Sequence, residues 1–441
     1  MIMSKKGYLY FISLVVIMGG LMFGFDIAII SGAVPFIQSY FGWNELELGW
    51  GVSSLIVGAI AGSLISGVLT DRFGRRGVLV AVALFFALSC IGSALATNST
   101  IFIIARIAGG LSVGAASVLS PMYVAEVVPL KIRGTFVSIY QLVITFGILI
   151  SFTINYFLRD WDNNWRWMFA TGAVPSVVFF VGLFFIPESP RWLYLNGYKD
   201  KALKVLNSIL TEEEADKEIA ELEINMKGNT KDSMKDFADP AVRKSLRVGF
   251  LLAVFIQITG INTVIDYAPK ILLAVGVQIE NALLQTSLIG IVNFAFTFIA
   301  IFLIDRVGRK PLYLFGSLAM AATLLGLAAT FYFKLNSIFA LVSLSLFIAA
   351  FASCIGPVFW TMIAEIFPNK VRGRAVAFAS FSQWIFNFVV VLLFPHVLSA
   401  IGGSITFIGL AFMCVIQYFI TKRLLPETKG KSLEEIEVMW H

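Results

Sequence analysis

Two isolated charges of opposite sign interrupt long apolar stretches in the first quarter of the chain. Asp26 is the only charged residue between positions 6 and 45, and Arg106 is the only one between positions 76 and 126. An ionisable group inside an apolar span is expensive to bury without a partner, so such groups are candidates for function. We therefore predict that Asp26 and Arg106 belong to the working site of the protein.

Side-chain amides and tryptophans also stand inside otherwise apolar stretches: Gln141, Gln257, Asn262, Gln383 and Asn387, with Trp360 and Trp384. An amide both donates and accepts hydrogen bonds, so it suits a neutral polar ligand without the cost of a buried charge. Asn387 follows Gln383 by one helical turn and is predicted to share its face. The alternative is that these amides bond between helices and that the tryptophans belong to interfacial belts.

Enzyme and metal chemistry have no support in the sequence. The chain has two histidines, His396 and His441, and three cysteines in apolar stretches, with no ligand or disulfide spacing. It has no phosphate-binding glycine loop, nucleophile elbow or paired catalytic carboxylates. We predict no catalytic residues, no metal and no cofactor.

Composition indicates a membrane protein. Of the 441 residues 58% are hydrophobic and 14% are charged, and the mean hydropathy is +0.86. Only helices or closed barrels satisfy the backbone in lipid, and the apolar runs are too long for barrel strands. The sequence predicts an all-α membrane protein with twelve transmembrane helices near residues 8–34, 48–70, 77–97, 101–125, 135–157, 168–187, 246–273, 283–304, 311–332, 337–364, 375–397 and 402–421.

The charges between these spans predict the orientation. Connections rich in Arg and Lys, such as 72–76 and 306–310, alternate with connections poor in them. By the positive-inside rule, both termini and the long central loop lie in the cytoplasm of a cell whose inner membrane holds the protein. The sequence pI of about 9.1 reflects these inner-face bases and not nucleic-acid binding.

The central segment is the one stretch with soluble character. Its charged sequence and helically spaced leucines predict short amphipathic helices lying on the inner membrane face. We expect a linker and cytoplasmic brace there, with a regulatory domain as the alternative. The predicted organisation is an N-terminal bundle over 1–187, a linker over 188–245, a C-terminal bundle over 246–425 and a tail over 426–441.

Three motifs occur twice. GVLTDRFGRR at 67–76 matches IFLIDRVGRK at 301–310, AEVVPLKIRG at 125–134 matches AEIFPNKVRG at 364–373, and PES at 187–189 matches PET at 426–428. The offsets are 305 − 71 = 234 and 365 − 126 = 372 − 133 = 427 − 188 = 239. Tandem repeats of this kind are typical of transporters built from two six-helix halves.

The repeated motifs combine acids with arginines at predicted cytoplasmic helix ends, where they can form networks between helices. We expect Asp71 with Arg133, and Asp305 with Arg372, to latch the two halves in the state open to the outside. Ordinary charged decoration of cytoplasmic loops is the alternative. The predicted gating set is Asp71, Arg75, Glu126, Arg133, Glu188, Arg191, Asp305, Arg309, Glu365, Arg372 and Glu427.

The motifs resemble those of the sugar porter family within the major facilitator superfamily. They follow the family's order over nearly the whole chain and include GFDIAIISG at 24–32, PMYVAE at 121–126, WRWMF at 165–169, PESPRW at 187–192, QITGIN at 257–262, GPVFW at 356–360 and PETKG at 426–430. The Asp-Arg-x-Gly-Arg loop marks the superfamily, whereas PESPRW and PETKG together are specific to sugar porters. The resemblance implies two pseudo-symmetric six-helix bundles that move a monosaccharide by alternating access, as a monomer in the lipid bilayer.

The resemblance also implies roles for individual residues. It assigns sugar contact to Gln141, Gln257, Asn262, Trp360, Gln383 and Trp384, and cavity lining to Phe23 and Tyr267. The chain departs from many relatives at Ile256, where a second glutamine is usual, and at Asp266, where an aromatic residue is usual. Asp266 is either a solvated residue near the outer mouth, an acceptor for a sugar hydroxyl or a second titrating group.

Asp26 and Arg106 are placed like the proton-coupling pair of symporting relatives, and passive carriers of the family tend to have a neutral residue at the first position. The resemblance therefore implies proton-coupled transport of a hexose or pentose. A facilitative uniporter without coupling is the alternative within this class. A membrane sugar sensor that binds without transport is the alternative outside it.

Overall fold

The structure is a computed structural model that describes residues 4–228, 239–368, 370–431 and 433–440, without the side chains at 130–135, 137, 221–228, 305 and 433–434. Helices make up nearly all of this described part. They are α1 Lys5–Phe41, α2 Glu45–Phe73, α3 Arg75–Ala94, α4 Ser99–Val127, α5 Leu130–Leu158, α6 Asn164–Thr171, α7 Ala173–Leu183, α8 Pro190–Leu195, α9 Lys199–Ile209, α10 Glu212–Gly228, α11 Pro240–Ile258, α12 Ile261–Ala274, α13 Ile279–Val307, α14 Arg309–Phe333, α15 Ser337–Cys354, α16 Gly356–Glu365, α17 Arg372–Leu424 and α18 Leu433–Val438.

Eleven segments of the described chain are long and apolar enough to cross a membrane. One of them, α17, has 53 residues. At 1.5 Å per residue it would measure about 80 Å, more than twice the apolar thickness of a bilayer. Its backbone turns at Gly402, where φ is 80° and ψ is 161°, so α17 comprises two spans on either side of this glycine. The expected twelve spans are confirmed.

Three spans consist of two helices each: α6 with α7, α11 with α12, and α15 with α16. The break between α11 and α12 falls at Gly260, whose φ of 88° is left-handed and interrupts the helical hydrogen bonds. The break between α15 and α16 is at Ile355 and is followed by Pro357, which has no N–H to donate. These breaks matter because Gln257 and Asn262 flank the first one and Trp360 follows the second.

The seventh span begins at Pro240, six residues before the predicted start at 246. The side chain of Asp239 accepts a hydrogen bond from the backbone N–H of Ala241 at 2.8 Å, and Pro240 occupies the first turn. An acidic cap followed by proline is a favourable helix start. The prediction from hydropathy omitted this turn because the turn contains basic residues, Arg243 and Lys244, before the apolar run begins.

The predicted amphipathic helices of the central segment are α8, α9 and α10. Leu193 and Tyr194 of α8 pack on Ala202 of α9 in a small core that Ile219 of α10 joins. Thr211 and Glu214 form a reciprocal capping box at the start of α10, with Thr211 N–H donating to the Glu214 carboxylate at 3.1 Å. Residues 229–238 of the predicted linker lie outside the described residues.

The described chain separates into two compact units. The first comprises residues 4–24, 57–147 and 169–228, and the second comprises 25–56, 148–168 and the described residues from 239 onward. In the second unit α17 packs against α11 and α14, and α13 packs against α15. The expected division into an N-terminal bundle over 1–187 and a C-terminal bundle over 246–425 stays a prediction.

Candidate substrate, coupling and gating residues

Three of the predicted amides form a hydrogen-bonded cluster in the second unit. Asn262 Nδ2 donates to Gln257 Oε1 at 2.7 Å and to Asn387 Oδ1 at 3.0 Å. Gln257 and Asn387 are buried and Asn262 is half-buried. Both N–H groups of Asn262 are therefore used within the cluster. Three polar groups remain for a ligand. The Asn262 oxygen can accept a hydrogen bond, and the NH₂ groups of Gln257 and Asn387 can donate.

Gln383 lies one turn before Asn387 on α17, as predicted, and is half-buried. Its Oε1 atom is buried, and no described residue donates a hydrogen bond to it. A buried acceptor without a donor is costly unless something else supplies one, such as water or a bound ligand. Trp384 beside it is buried, so this indole has little open surface.

The other predicted aromatics of the second unit differ in exposure. Trp360 is 42% exposed on α16, and its ring meets Phe359 edge to face at 5.2 Å between centroids. Tyr267 has no exposed surface, donates its hydroxyl to the Val391 carbonyl at 3.1 Å and stacks on Phe394. In this structure Tyr267 joins α12 to α17, and its expected role in lining the cavity stays a prediction.

Phe23 and Gln141 belong to the first unit, on α1 and α5, and both are half-buried. Glycine allows close contact between these two helices, because a Cβ on Gly24 would lie 1.9 Å from the Ile144 carbonyl oxygen. Their expected contact with substrate stays a prediction.

Asp26 and Arg106 are both deeply buried, at 2% and 1% exposure. The Arg106 guanidinium lies over the ring of Phe169, 5.4 Å from its centroid, and Phe102 meets the same ring edge to face at 5.2 Å. A cation on an aromatic face is stabilised electrostatically, most strongly away from water. The burial expected for both charges is found, whereas their coupling role remains to be tested.

The motif residues of the first unit form one network. Arg75 reaches Glu126 with Nε at 3.1 Å and Nη2 at 3.0 Å, a bidentate pairing. The Ser189 hydroxyl donates to the same Glu126 carboxylate. Glu188 accepts the backbone N–H groups of Arg75 at 2.8 Å and Arg76 at 3.1 Å, so it caps the N-terminus of α3.

The second unit repeats this arrangement with the second copies of the motifs. Arg309 Nη2 lies 3.2 Å from Glu365, and the Thr428 hydroxyl donates to the same Glu365 carboxylate. Glu427 accepts the backbone N–H groups of Arg309 at 3.1 Å and Lys310 at 3.0 Å. The repeated motifs therefore build repeated structure: one arginine, one half-buried acid, one hydroxyl and one capping glutamate in each unit.

The capping glutamates sit against glycines at the start of α3 and α14. Gly74 has a φ of 82° and Gly308 a φ of 105°. A Cβ on Gly74 would lie 2.3 Å from the Glu188 carboxylate, and one on Gly308 would lie 2.9 Å from that of Glu427. The glycine of each Asp-Arg-x-Gly-Arg motif therefore provides both the left-handed turn and the room for the acid.

The two expected latch pairs cannot be compared with the structure, because the side chains of Arg133 and Asp305 lie outside its description. Asp71 is 3.7 Å from Arg75, with 82% of its side chain exposed. Arg372 donates to the Phe367 carbonyl at 3.1 Å, and Arg191 is exposed. The latch stays a prediction, while Arg75 and Arg309 have the acidic partners described above.

Sequence reasoning missed a second charged group, at the opposite end of α2 from its Asp71 motif. Lys270 of α12 forms an ion pair with Glu45, the first residue of α2, at 2.8 Å. The signal was available, because Lys270 falls inside the predicted span 246–273. Asp266 is 6% exposed, so its interpretation as a solvated residue is not supported.

Twelve apolar spans, buried charges and repeated motif networks define the class of this chain, a helical membrane transporter with the major facilitator fold. A family model described as "Sugar (and other) transporter" matches residues 12–440, and the chain therefore belongs to this sugar transporter family. The predicted family resemblance, the fold class and the expectation of a transporter instead of an enzyme are confirmed.

Individual proteins are similar over almost their full length. The arabinose-proton symporter of Bacillus subtilis is 40% identical over 444 residues, which cover 99% of this chain and 96% of that protein. The structure of the xylose transporter XylE from E. coli in an inward open conformation has a TM-score of 0.88 and 35% identity, over 98% of this chain and 100% of that one. The proton:xylose symporter XylE bound to 6-bromo-6-deoxy-D-glucose has a TM-score of 0.83 and 36% identity, over 99% of this chain and 100% of that one.

Proposed function

We propose that the chain is a proton-coupled monosaccharide symporter that works by alternating access. The observation that carries this proposal is the amide cluster of Asn262, Gln257 and Asn387, with the buried Gln383 oxygen one turn away on α17. Family membership and the similarity to proteins named as arabinose and xylose symporters support it. The proposal commits to the class of pentoses and hexoses, since the relatives' printed ligands include both.

The sugar is bound by neutral groups. A pyranose offers hydroxyls that donate and accept, and the free groups of the amide cluster match them without a buried charge. The Gln383 oxygen accepts from one hydroxyl, and Gln141 of α5 supplies a further amide. The C–H faces of the ring pack on aromatic surface, for which Trp360, Trp384 and Phe23 are the proposed contacts.

Asp26 carries the proton. In the proposed cycle, the charged carboxylate is favoured in any state that brings the Arg106 guanidinium near it, and desolvation favours the protonated form in a state that withdraws this partner. Protonation then lets the carrier pass its occluded state without an unpaired buried charge. The available energy is sufficient, because one charge moved through 100 mV is worth about 2.3 kcal/mol, or roughly a fifty-fold sugar gradient.

The repeated arginine and glutamate networks are proposed to hold the cytoplasmic ends of the helices. Both termini are proposed to lie in the cytoplasm, an orientation that the positive-inside rule supports, and the protein is proposed to reside in the cell inner membrane. The protein is proposed to act as a monomer, because each chain contributes all the residues named above.

Transport by purified protein in liposomes tests the proposal. Wild-type protein is expected to accumulate labelled sugar against its gradient when a pH difference and a membrane potential are imposed, and a protonophore is expected to abolish the accumulation. Asp26→Asn should retain counterflow exchange but lose accumulation and sugar-induced alkalinisation. Asp160→Asn is the matched control, because Asp160 is an exposed acid paired with its neighbour Arg159.

Each failure has its own meaning. Accumulation by Asp26→Asn at the wild-type level would refute the assignment of the proton site. Wild-type exchange that never becomes uphill would identify a uniporter, and saturable sugar binding without exchange would identify a sensor. Competition by a panel of pentoses and hexoses then defines the substrate.

A further inference from the structure

A polar cluster of three residues joins three helices within the second compact unit. The Lys270 ammonium lies 3.0 Å from Gln38 Oε1 and 3.0 and 2.8 Å from the two oxygens of Glu45. Gln38 Nε2 donates to Glu45 Oε1 at 3.2 Å, which closes the triangle. An ammonium has three N–H donors, and Gln38 Oε1 and Glu45 Oε1 each accept one of them, while Glu45 Oε2 adds charge attraction at 2.8 Å. We call Gln38, Glu45 and Lys270 the outer triad.

The outer triad connects the two repeated halves of the sequence. Gln38 is in the last turn of α1 and Glu45 begins α2, whereas Lys270 belongs to the seventh span. Glu45 and the Asp71 motif lie at opposite ends of α2, about 40 Å apart at 1.5 Å per residue. The triad is therefore at the end of α2 away from its Asp71 motif.

The surrounding helices are in close contact in this structure. Gly49 of α2 packs directly on α17, where a Cβ would lie 1.9 Å from the Leu392 carbonyl oxygen. Trp50 meets Phe388 edge to face at 6.0 Å. On the α5 side, the Ser287 hydroxyl of α13 donates to the Phe152 carbonyl at 3.0 Å. At this end, helices of the first half are packed against helices of the second.

Lys270 lies in α12 after two interruptions of the helical backbone, which are candidate hinges. The Gly260 break separates α12 from α11. Tyr267, three residues before Lys270, has non-helical angles of φ −121° and ψ 17°. Hinge motions in proteins are absorbed at a few such element-terminal positions. The part of α12 that follows Tyr267 can therefore move without unfolding the span, and its tether to α1 and α2 is the outer triad.

We propose that the Glu45–Lys270 ion pair, completed by Gln38, is an outer latch that holds the extracellular ends of the two halves together and breaks when the carrier opens to the outside. The inference rests on the proposed function in one respect, that the halves separate at this end. The side chains of Lys270 and Glu45 are 17% and 29% exposed. This burial strengthens the pair relative to a surface ion pair, while both charges are shallow enough to regain water on opening.

The test measures opening directly and in the absence of sugar, so it is independent of whether the protein transports one. Ser287→Cys is the reporter, because Ser287 is 7% exposed in the closed contact and the native cysteines are buried. Labelling by a membrane-impermeant maleimide added outside intact cells reports separation. Gly49→Leu validates the reporter, since its side chain has no room in the closed contact and must increase labelling.

Glu45→Gln and Lys270→Met are each expected to raise the labelling rate roughly three- to tenfold, the effect of losing one ordinary hydrogen bond, because the pair is partly exposed. The double variant Glu45→Lys with Lys270→Glu should restore the parent rate, because the pair is re-formed with its polarity reversed and Gln38 can donate or accept. Glu213→Gln is the matched control, as Glu213 pairs with Lys217 in an exposed helix and its loss should change nothing.

Parent-like labelling in both single variants, while Gly49→Leu labels faster, would overturn the latch. So would a charge-reversed double variant that labels as fast as the single variants although its melting temperature equals that of the parent. Melting temperatures measured on all variants separate loss of the latch from loss of the fold. A failure of sugar uptake in the parent protein would bear on the proposed function and leave these labelling rates meaningful.

Discussion

The carboxylate of Glu188 accepts the backbone N–H of Arg75 at 2.8 Å and thereby caps the first turn of α3. This contact joins the segment after the sixth span to the loop between the second and third. Glu427 makes the equivalent contact with Arg309 at 3.1 Å. The Pro-Glu-Ser and Pro-Glu-Thr motifs therefore have a defined physical task, which is to bind the N-terminal ends of α3 and α14.

Removing these caps should destabilise the protein to a similar extent in both units. Glu188→Ala and Glu427→Ala each leave backbone donors of a helix start unsatisfied and remove a favourable interaction with the helix dipole. We expect each to lower the free energy of unfolding by about 1–3 kcal/mol. Thermal unfolding in detergent measures this, with the exposed Glu213→Ala as control. A lower melting temperature in only one of the two glutamate variants would contradict the structural equivalence of the two motifs.

The glycine of the first Asp-Arg-x-Gly-Arg motif should not tolerate a side chain. Gly74→Ala would combine a φ of 82° with a Cβ 2.3 Å from the Glu188 carboxylate. Strain of this kind costs about 1–3 kcal/mol, so the melting temperature should fall. Gly67→Ala, four residues before this motif on α2, is the control, because nothing lies within 4 Å of its Cβ position. Equal melting temperatures for the two variants would show that the turn at residue 74 can accommodate a side chain without strain.

The amide cluster should control apparent affinity for sugar. Asn387→Leu removes the NH₂ group proposed to donate to a sugar hydroxyl, and it also removes the acceptor for Asn262 Nδ2. Such a loss costs about 1–3 kcal/mol, so we expect the KM for sugar exchange to rise roughly tenfold. Asn281→Leu, at an exposed asparagine at the start of α13, is the control. An unchanged KM in Asn387→Leu would remove Asn387 from the substrate site.

The last turn of the chain should contribute to stability. Trp440 is buried and donates its indole N–H to the Ile366 carbonyl at 2.8 Å, next to α16. Trp440→Phe keeps most of the apolar contact and should cost about 1 kcal/mol, whereas Trp440→Ala should cost about 3 kcal/mol. Unfolding of the two variants beside Met439→Ala, at an exposed neighbour, distinguishes them. Similar melting temperatures for all three would show that the terminal turn does not contribute to stability.

Much of the candidate site was predictable because its chemistry is unusual for a membrane span. Asp26 and Arg106 stood out as lone charges, and the amides stood out as polar residues in apolar helices. The burial of Asp26 and Arg106 is found. The bond between Asn262 and Asn387 joins two helices, which the alternative of interhelical bonding also predicts, so the substrate role of the amides stays a prediction. The hydroxyls of Ser189 and Thr428 were missed as partners of Glu126 and Glu365, although both belong to the repeated motifs.

The sequence by itself determined the number of spans, the repeat and the family, because apolar length and motif order are one-dimensional properties that need no knowledge of neighbours. It could not determine which acid meets which base. Arg75 meets Glu126 and Arg309 meets Glu365, while Lys270 meets Glu45 from 225 positions away. Such pairs depend on the rotation of each helix about its axis and on where it breaks, and only the packing of the folded chain decides both.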